Sequence, residues 1–266
     1  MNGGRMKRFK DRVVLITGGA SGIGFATATL FLEEGAKVAI IDISEEAGKK
    51  AIRELKKLGF DALFVKCDVS KEKDVKKAVN KVISRYKRLD VLFNNAGIFI
   101  DGRVHEFSET DWDRIIGINL KGVFLCSKHA IPHMLKQGKG VIVNNSSCSA
   151  IVADYADPAY CATKGGISML TRAMAIDYAK ENIRVNAVLC GEIETSMTRG
   201  EAKMQGMPFR EFCDYVAEHY PIGRLGTVDE AAKVVLFLAS DDASFVTGSL
   251  VSVDGGFTAA GLHEEY

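Results

Sequence analysis

The feature that most restricts how this chain can fold is a regular exchange of short apolar runs with longer stretches of helical period. The runs are Val13–Thr17, Lys37–Asp42, Ala62–Cys67, Val91–Asn94, Gly140–Asn144, Arg184–Leu189 and Ser249–Val253. Most are continuously apolar, the pattern of strands covered by helices on both faces. Segments 22–34, 44–58, 70–87, 108–137, 157–180 and 227–239 lie between them, each long enough for a crossover helix. Repeated units of this kind predict a doubly wound α/β fold, with a parallel sheet of about seven strands and helices on both faces. Helix-start signals agree: Ser70 predicts an N-cap, Asp157-Pro158 sets an N-cap before an N1 proline, and Thr227-Val228-Asp229-Glu230 has the form of a capping box. No linker or internal repeat interrupts the pattern, so residues 1–266 read as a single domain.

Composition excludes several functions. Lys plus Arg number 35 against 34 Asp plus Glu, a net charge of +1, so the basic excess needed to neutralise nucleic-acid phosphates is missing. No run of 18 uncharged apolar residues occurs, which argues against a membrane-spanning helix. The basic start, Met1 to Lys10, leads into an apolar run too short for a signal-peptide core and reads as an untargeted beginning. The six cysteines are scattered without a metal clip or disulfide framework and read as reduced thiols of a cytoplasmic protein.

The first run leads directly into Thr17-Gly18-Gly19-Ala20-Ser21-Gly22-Ile23-Gly24. A glycine-rich turn between strand and helix lets backbone N–H groups approach a pyrophosphate, backed by the positive end of the helix dipole. A second strand ending in Asp42 completes a dinucleotide-binding fingerprint. Gly18, Ser21, Gly22, Ile23 and Gly24 are the candidate phosphate contacts. Asp42 would accept from ribose hydroxyls and repel a 2′-phosphate, and Ile43 rather than a base follows it, so NAD is expected over NADP. Asp68-Val69 and Asn95-Ala96-Gly97 end the next two strands at the same edge and are further candidate contacts. One long stretch, 192–226, breaks the alternation as it leaves a strand end, and is read as a substrate lid.

Among the tyrosines, Tyr160 alone has a lysine four residues later, Lys164, on one face of an expected helix. A nearby ammonium favours a phenolate and suits the phenol to proton transfer. Ser147, at the end of the fifth strand, offers a hydroxyl to a substrate oxygen, and Asn119 an amide within the 108–137 segment. His129 and His133 share a helical face, but Pro132 and the absence of a third ligand leave no metal site to expect. Cys148 and Cys161 flank these elements without a neighbouring base that would make either a nucleophile.

Taken together, the glycine turn, Asn94-Asn95-Ala96-Gly97, Asn119, Ser147, Tyr160-Cys161-Ala162-Thr163-Lys164, Arg184-Val185-Asn186 and Val253-Asp254-Gly255-Gly256 resemble the short-chain dehydrogenase/reductase family over nearly the whole chain. The resemblance implies a Rossmann-type domain transferring hydride between NAD and a secondary alcohol: a sugar, polyol, cyclic alcohol or hydroxy acid. It implies Tyr160 as acid/base and Ser147 as the group polarising the substrate oxygen. Lys164 would lower the tyrosine pKa and hold the nicotinamide ribose, while Asn119 positions a water. Ile193 and Thr195 would meet the carboxamide, and the subunits would form homotetramers or homodimers through the long helices. An NADPH-dependent 3-oxoacyl thioester reductase and a non-catalytic dinucleotide sensor are the alternatives. Two positions depart from the family pattern: Cys190-Gly191 replaces the usual Pro-Gly, and Ala150 replaces a glycine.

Overall fold

Alternate residues of the first strand, β1 (Val13–Thr17), enter two different cores. Val14 and Ile16 face one, Val13 and Leu15 the other, and all four are fully buried. A strand this apolar on both faces is stable only between two layers of helices. The computed structural model describes residues 7–153 and 155–260. Its remaining strands are β2 (Lys37–Asp42), β3 (Ala62–Lys66), β4 (Val91–Asn94), β5 (Gly140–Asn145), β6 (Ile183–Cys190) and β7 (Leu250–Val253). All seven form one parallel sheet in the order β3-β2-β1-β4-β5-β6-β7. This is the predicted doubly wound architecture.

Helices α1 (Gly22–Glu33), α2 (Glu45–Lys57) and α9 (Val228–Ala239) cover one face, burying Phe31, Leu55 and Val235 against Val14, Ile16 and Val38. The other face is covered by α3 (Glu72–Tyr86), α5 (Lys121–Gln137) and α6 (Pro158–Tyr178), through residues such as Val79, Leu125 and Ala175. Full burial of each large side chain is worth about 1.5–3 kcal/mol. The strand order reverses between β1 and β4, and the crevice outside their C-terminal ends is where such a sheet holds ligands.

The predicted 108–137 helix is not continuous. It consists of α4 (Glu109–Ile115), a π-helical turn at Ile116–Leu120 and then α5, and the wider turn carries Asn119 into the interior. Ser70 is not an N-cap. Its hydroxyl donates to Asp68 Oδ1 at 2.6 Å, and α3 begins one residue later with Lys71 as its cap. Asp157 does occupy the N-cap of α6 ahead of Pro158, but its side chain makes no capping bond. The capping box at Thr227 and Glu230 is present. The 192–226 excursion contains α7 (Ser196–Met204) and α8 (Phe209–Glu218), and an Ile193–Gly226 bridge ties its ends. Among the described residues no helix is long and apolar enough to cross a membrane.

Candidate active site

The glycine turn is built around close backbone approach. Gly18 has φ +60°, and a Cβ there would lie 2.9 Å from Ala96 Cα. A Cβ on Gly24 would lie 2.3 Å from the Gly18 carbonyl oxygen, so Gly24 serves packing behind the turn. Asn95 locks the arrangement: its Nδ2 donates to the carbonyls of Thr17 and Gly18, both at 3.1 Å. Thr17 Oγ1 accepts from the Asn95 and Ala96 amides at 2.8 and 2.9 Å. Ser21, the N-cap of α1, makes no side-chain capping bond, and the first turn carries no acidic residue. The leading amides of α1 are thus free of a competing carboxylate and suited to an anion.

A cavity of about 370 Å³ runs from this turn along the C-terminal strand ends. Gly18, Ser21, Gly22, Ile23, Asp42, Ile43, Val69, Asn95, Ala96 and Gly97 line it, as do Ser147, Tyr160, Lys164, Ile193 and Thr195. Residues from both halves of the chain therefore meet in one chamber. Asp42 accepts from the amides of Ala20 at 3.3 Å and Ser44 at 3.0 Å, which fixes its carboxylate at the chamber's edge. Lys66, opposite Asp42 in the sheet register, and Lys49, the first base downstream, both pair with Glu45 instead. The uncapped helix end and the Asp42 acceptor fit a dinucleotide.

At the opposite end Lys164, 5% exposed, donates from Nζ to the Asn145 carbonyl at 2.9 Å. Its ammonium lies 5.2 Å from the Tyr160 ring centroid, and Phe99 packs edge-on against the same ring at 5.4 Å. Ser147 Oγ accepts from the Ser149 amide and donates to Ser149 Oγ, each at 3.1 Å. Its neighbour Ser146 is structural, bonded to the Lys164 carbonyl and Ser168. Burial draws the Lys164 pKa down to about 8. Burial, followed by the Glu192 and Asp157 carboxylates, pushes the Tyr160 phenol above its usual value. The direction is the reverse of the sequence expectation, a phenol lowered by Lys164.

Three expected site residues do not line the chamber. Gly24 lies behind the turn. Asp68 turns away to accept from Ser70 and pairs with Lys71 at 3.4 Å. Asn119, 1% exposed, is spent on backbone: its Oδ1 accepts from Ile98 N at 2.8 Å and its Nδ2 donates to Ile98 O at 2.9 Å. A weaker bond reaches Thr163 at 3.3 Å. Cys190, which the departure from the family's Pro-Gly pair set beside the site, lines the chamber, whereas sequence reasoning missed Asn145, Asp157, Glu192 and Glu201. Asn145 was findable as the last residue of a strand that ends at this edge. Glu192 and Glu201 sit within the excursion, where no periodicity indicates which way a side chain faces. Met207, Phe209 and Phe212, expected in the lid, pack into a separate small core with Val216 and Tyr220, while Met197 does line the chamber. His129 Nε2 lies 3.1 Å from Glu72 Oε1 on the surface.

This fold, switch-point crevice and strand-end chamber define a dinucleotide-dependent oxidoreductase of α/β architecture. A sequence profile of the family described as enoyl-(acyl carrier protein) reductase matches residues 18–258. The chain is 43% identical over 253 residues to meso-2,3-butanediol dehydrogenase of Serratia marcescens, covering 95% of this chain and 97% of the relative. It is 42% identical over 249 residues to 3-oxoacyl-(acyl-carrier-protein) reductase of Thermotoga maritima, covering 94% and 98%. The crystal structure of levodione reductase superposes with a TM-score of 0.92 at 37% identity, covering 96% of this chain and all of that one. The chain belongs to the short-chain dehydrogenase/reductase family and is an alcohol dehydrogenase/ketone reductase with a nicotinamide dinucleotide cofactor.

Proposed function

We propose that this protein interconverts a secondary alcohol and its ketone with NAD, using Tyr160 as the group that exchanges a proton with the substrate oxygen. The observation that carries this reading is the meeting of Ser147, Tyr160 and Lys164 with the glycine turn in a single chamber. When bound, the nicotinamide supplies the hydride acceptor or donor. Gly18, Ser21, Gly22 and Ile23 would hold its pyrophosphate through backbone, Asp42 and Ile43 the adenosine end, and Ile193 and Thr195 the nicotinamide end. Ser147 turns its hydroxyl hydrogen from Ser149 toward the substrate oxygen, a single-bond rotation. Such a donor is worth about 3 kcal/mol where charge develops on oxygen. Lys164 brings a positive charge that offsets the carboxylates around Tyr160, and Asn119 is a positioning residue that fixes Ile98 beside the Asn95–Gly97 wall. The 192–226 segment acts as the substrate lid over the chamber.

Two observations favour a neutral hydroxylated substrate over an acyl thioester on an acidic carrier. Asp42 at the chamber's edge would repel a 2′-phosphate, and Lys49 and Lys66 pair with Glu45. Asp157, Glu192 and Glu201 line the same chamber, whose cation is Lys164. Diols, polyols and cyclic alcohols suit such a lining, because hydroxyls donate to carboxylates while anions are repelled. The test is NADH formation across a panel of neutral and anionic secondary alcohols, with NADP in parallel. Tyr160→Phe lowers kcat by about a thousandfold while dinucleotide affinity stays within about twofold. Normal turnover in that variant, or no turnover of any alcohol or ketone by the wild type, removes the reading.

A further inference from the structure

The side-chain amides along the chamber form a chain with one possible polarity. Asn95 donates both its Nδ2 hydrogens to the carbonyls of Thr17 and Gly18, so its Oδ1 points the other way. That oxygen accepts from Asn145 Nδ2 at 3.0 Å, which leaves Asn145 Oδ1 as the end that requires a donor. The donor is the thiol of Cys190, with Sγ 3.5 Å from Asn145 Oδ1. Inverting either amide would set an oxygen against carbonyl oxygens, so the chain has no alternative arrangement. Asn145 also contributes the backbone carbonyl that receives Lys164 Nζ. Cys190 is buried in a low-dielectric wall that pushes its pKa up to about 12, so its S–H persists at physiological pH. A proline at this position would supply no side-chain donor.

We infer that Cys190 is a positioning residue whose S–H group, through Asn145 and Asn95, fixes both the glycine turn that cradles the dinucleotide and the carbonyl that seats Lys164. The inference rests on the dinucleotide reading of the chamber and assigns Asn145 and Cys190 a joint role. Asn145 is half-buried, and loss of the thiol donor loosens its side chain toward Asn95 and its carbonyl toward Lys164.

The test is a cycle of Cys190→Ala, Cys190→Ser, Asn145→Val and Cys190→Ala/Asn145→Val, read by NAD calorimetry and by infrared spectroscopy of the S–H stretch. The Cys190 band, assigned by its loss in Cys190→Ser, moves to higher frequency in Asn145→Val as its hydrogen bond is lost. Cys190→Ala raises the NAD Kd about fivefold, whereas Cys190→Ser, which keeps a donor, stays within about twofold. In the Asn145→Val background, Cys190→Ala adds nothing further. An S–H band unmoved by Asn145→Val, an unchanged Kd in Cys190→Ala, or factors that simply multiply in the double variant would each overturn the inference. Failure of the wild type to bind NAD overturns the dinucleotide reading instead, and the infrared result still decides whether the thiol donates to Asn145.

Discussion

Lys164 is placed so that it must cost stability, and the cost can be measured. Its ammonium is buried, with the Asn145 carbonyl as its hydrogen-bond acceptor. Burial draws its pKa from 10.5 to about 8, and each pH unit corresponds to about 1.4 kcal/mol. The sign follows from proton counting. Between about pH 8 and pH 10.5 the unfolded lysine keeps its proton while the native one releases it, so stability rises with pH in that window. Below pH 8 the native state bears the full burden, about 3 kcal/mol. Lys164→Met removes that burden and also removes the bond to Asn145, an opposing loss of about 1–3 kcal/mol that does not vary with pH. The informative quantity is therefore the change in the variant's relative stability with pH. Equilibrium urea unfolding of both proteins at equal concentration, at pH 7 and pH 9.5, should show Lys164→Met losing about 2 kcal/mol of relative stability between the two. Equal differences at both pH values would show that the amine is not a destabilising buried cation, and the electrostatic role assigned to Lys164 would fall with it. The same experiment separates function from fold, because activity is lost in the variant whichever way its stability moves.

Other perturbations follow from individual contacts. Asp42→Ala combined with Ile43→Arg should exchange a ribose acceptor for a phosphate partner and shift the NAD-to-NADP ratio of kcat/KM by at least about a hundredfold toward NADP. An unchanged ratio would mean that this strand end does not meet the adenosine ribose. Asn119→Ala strands the Ile98 N–H and C=O, so unfolding free energy should fall by about 2–4 kcal/mol, checked by urea titration. Glu192→Gln removes one of the charges that raise the Tyr160 pKa, so the basic limb of the pH profile for alcohol oxidation should move to lower pH. The same variant should improve kcat/KM for carboxylate-bearing alcohols relative to neutral ones by about tenfold, and unchanged selectivity would place Glu192 away from the substrate.

The sheet was legible because both of its faces are buried, leaving uninterrupted apolar runs that nothing else explains. Strand ends were the least certain boundaries, and β6 extends one residue past the predicted run at each end. Spacing alone announced Tyr160 and Lys164, since a four-residue interval on a helix puts both on one face. It could not announce the π turn at Ile116–Leu120, which depends on Asn119 finding the Ile98 backbone rather than on local propensity. Motif resemblance also mixes two kinds of residue that only coordinates separate. Asn95 lines the chamber, whereas Asn94 bonds internally to Asn144 at 2.9 Å. Arg184 and Asn186 bind the carbonyl ends around Leu238, Ser240 and Val246, holding β6 and α9 to the turn before β7 rather than meeting any ligand.

Substrate selection was the part least visible in the sequence, and the reason is geometric. Asp157, Glu192 and Glu201 come from a helix cap, a strand exit and helix α7, so no spacing relates them until the fold brings them to one chamber. With Asp42 at the far end and Lys164 as the cation, the chamber is negative although the whole chain carries only +1. A site of that sign cannot rely on charge to hold an anionic cofactor and must use backbone amides and the α1 dipole, which carry no side-chain signature beyond glycine. Burial first, and the same field after it, raise the Tyr160 phenol, so proton transfer to a ketone is favoured over proton removal from an alcohol until something positive offsets the carboxylates. Lys164 is the resident group able to do this, and its own lowered pKa sets the limit: its charge is present below about pH 8 and fades above it. In the proposed reading, cofactor retention by backbone, substrate choice by carboxylates and proton transfer by Tyr160 are linked through a buried lysine whose carbonyl partner, Asn145, accepts from Cys190.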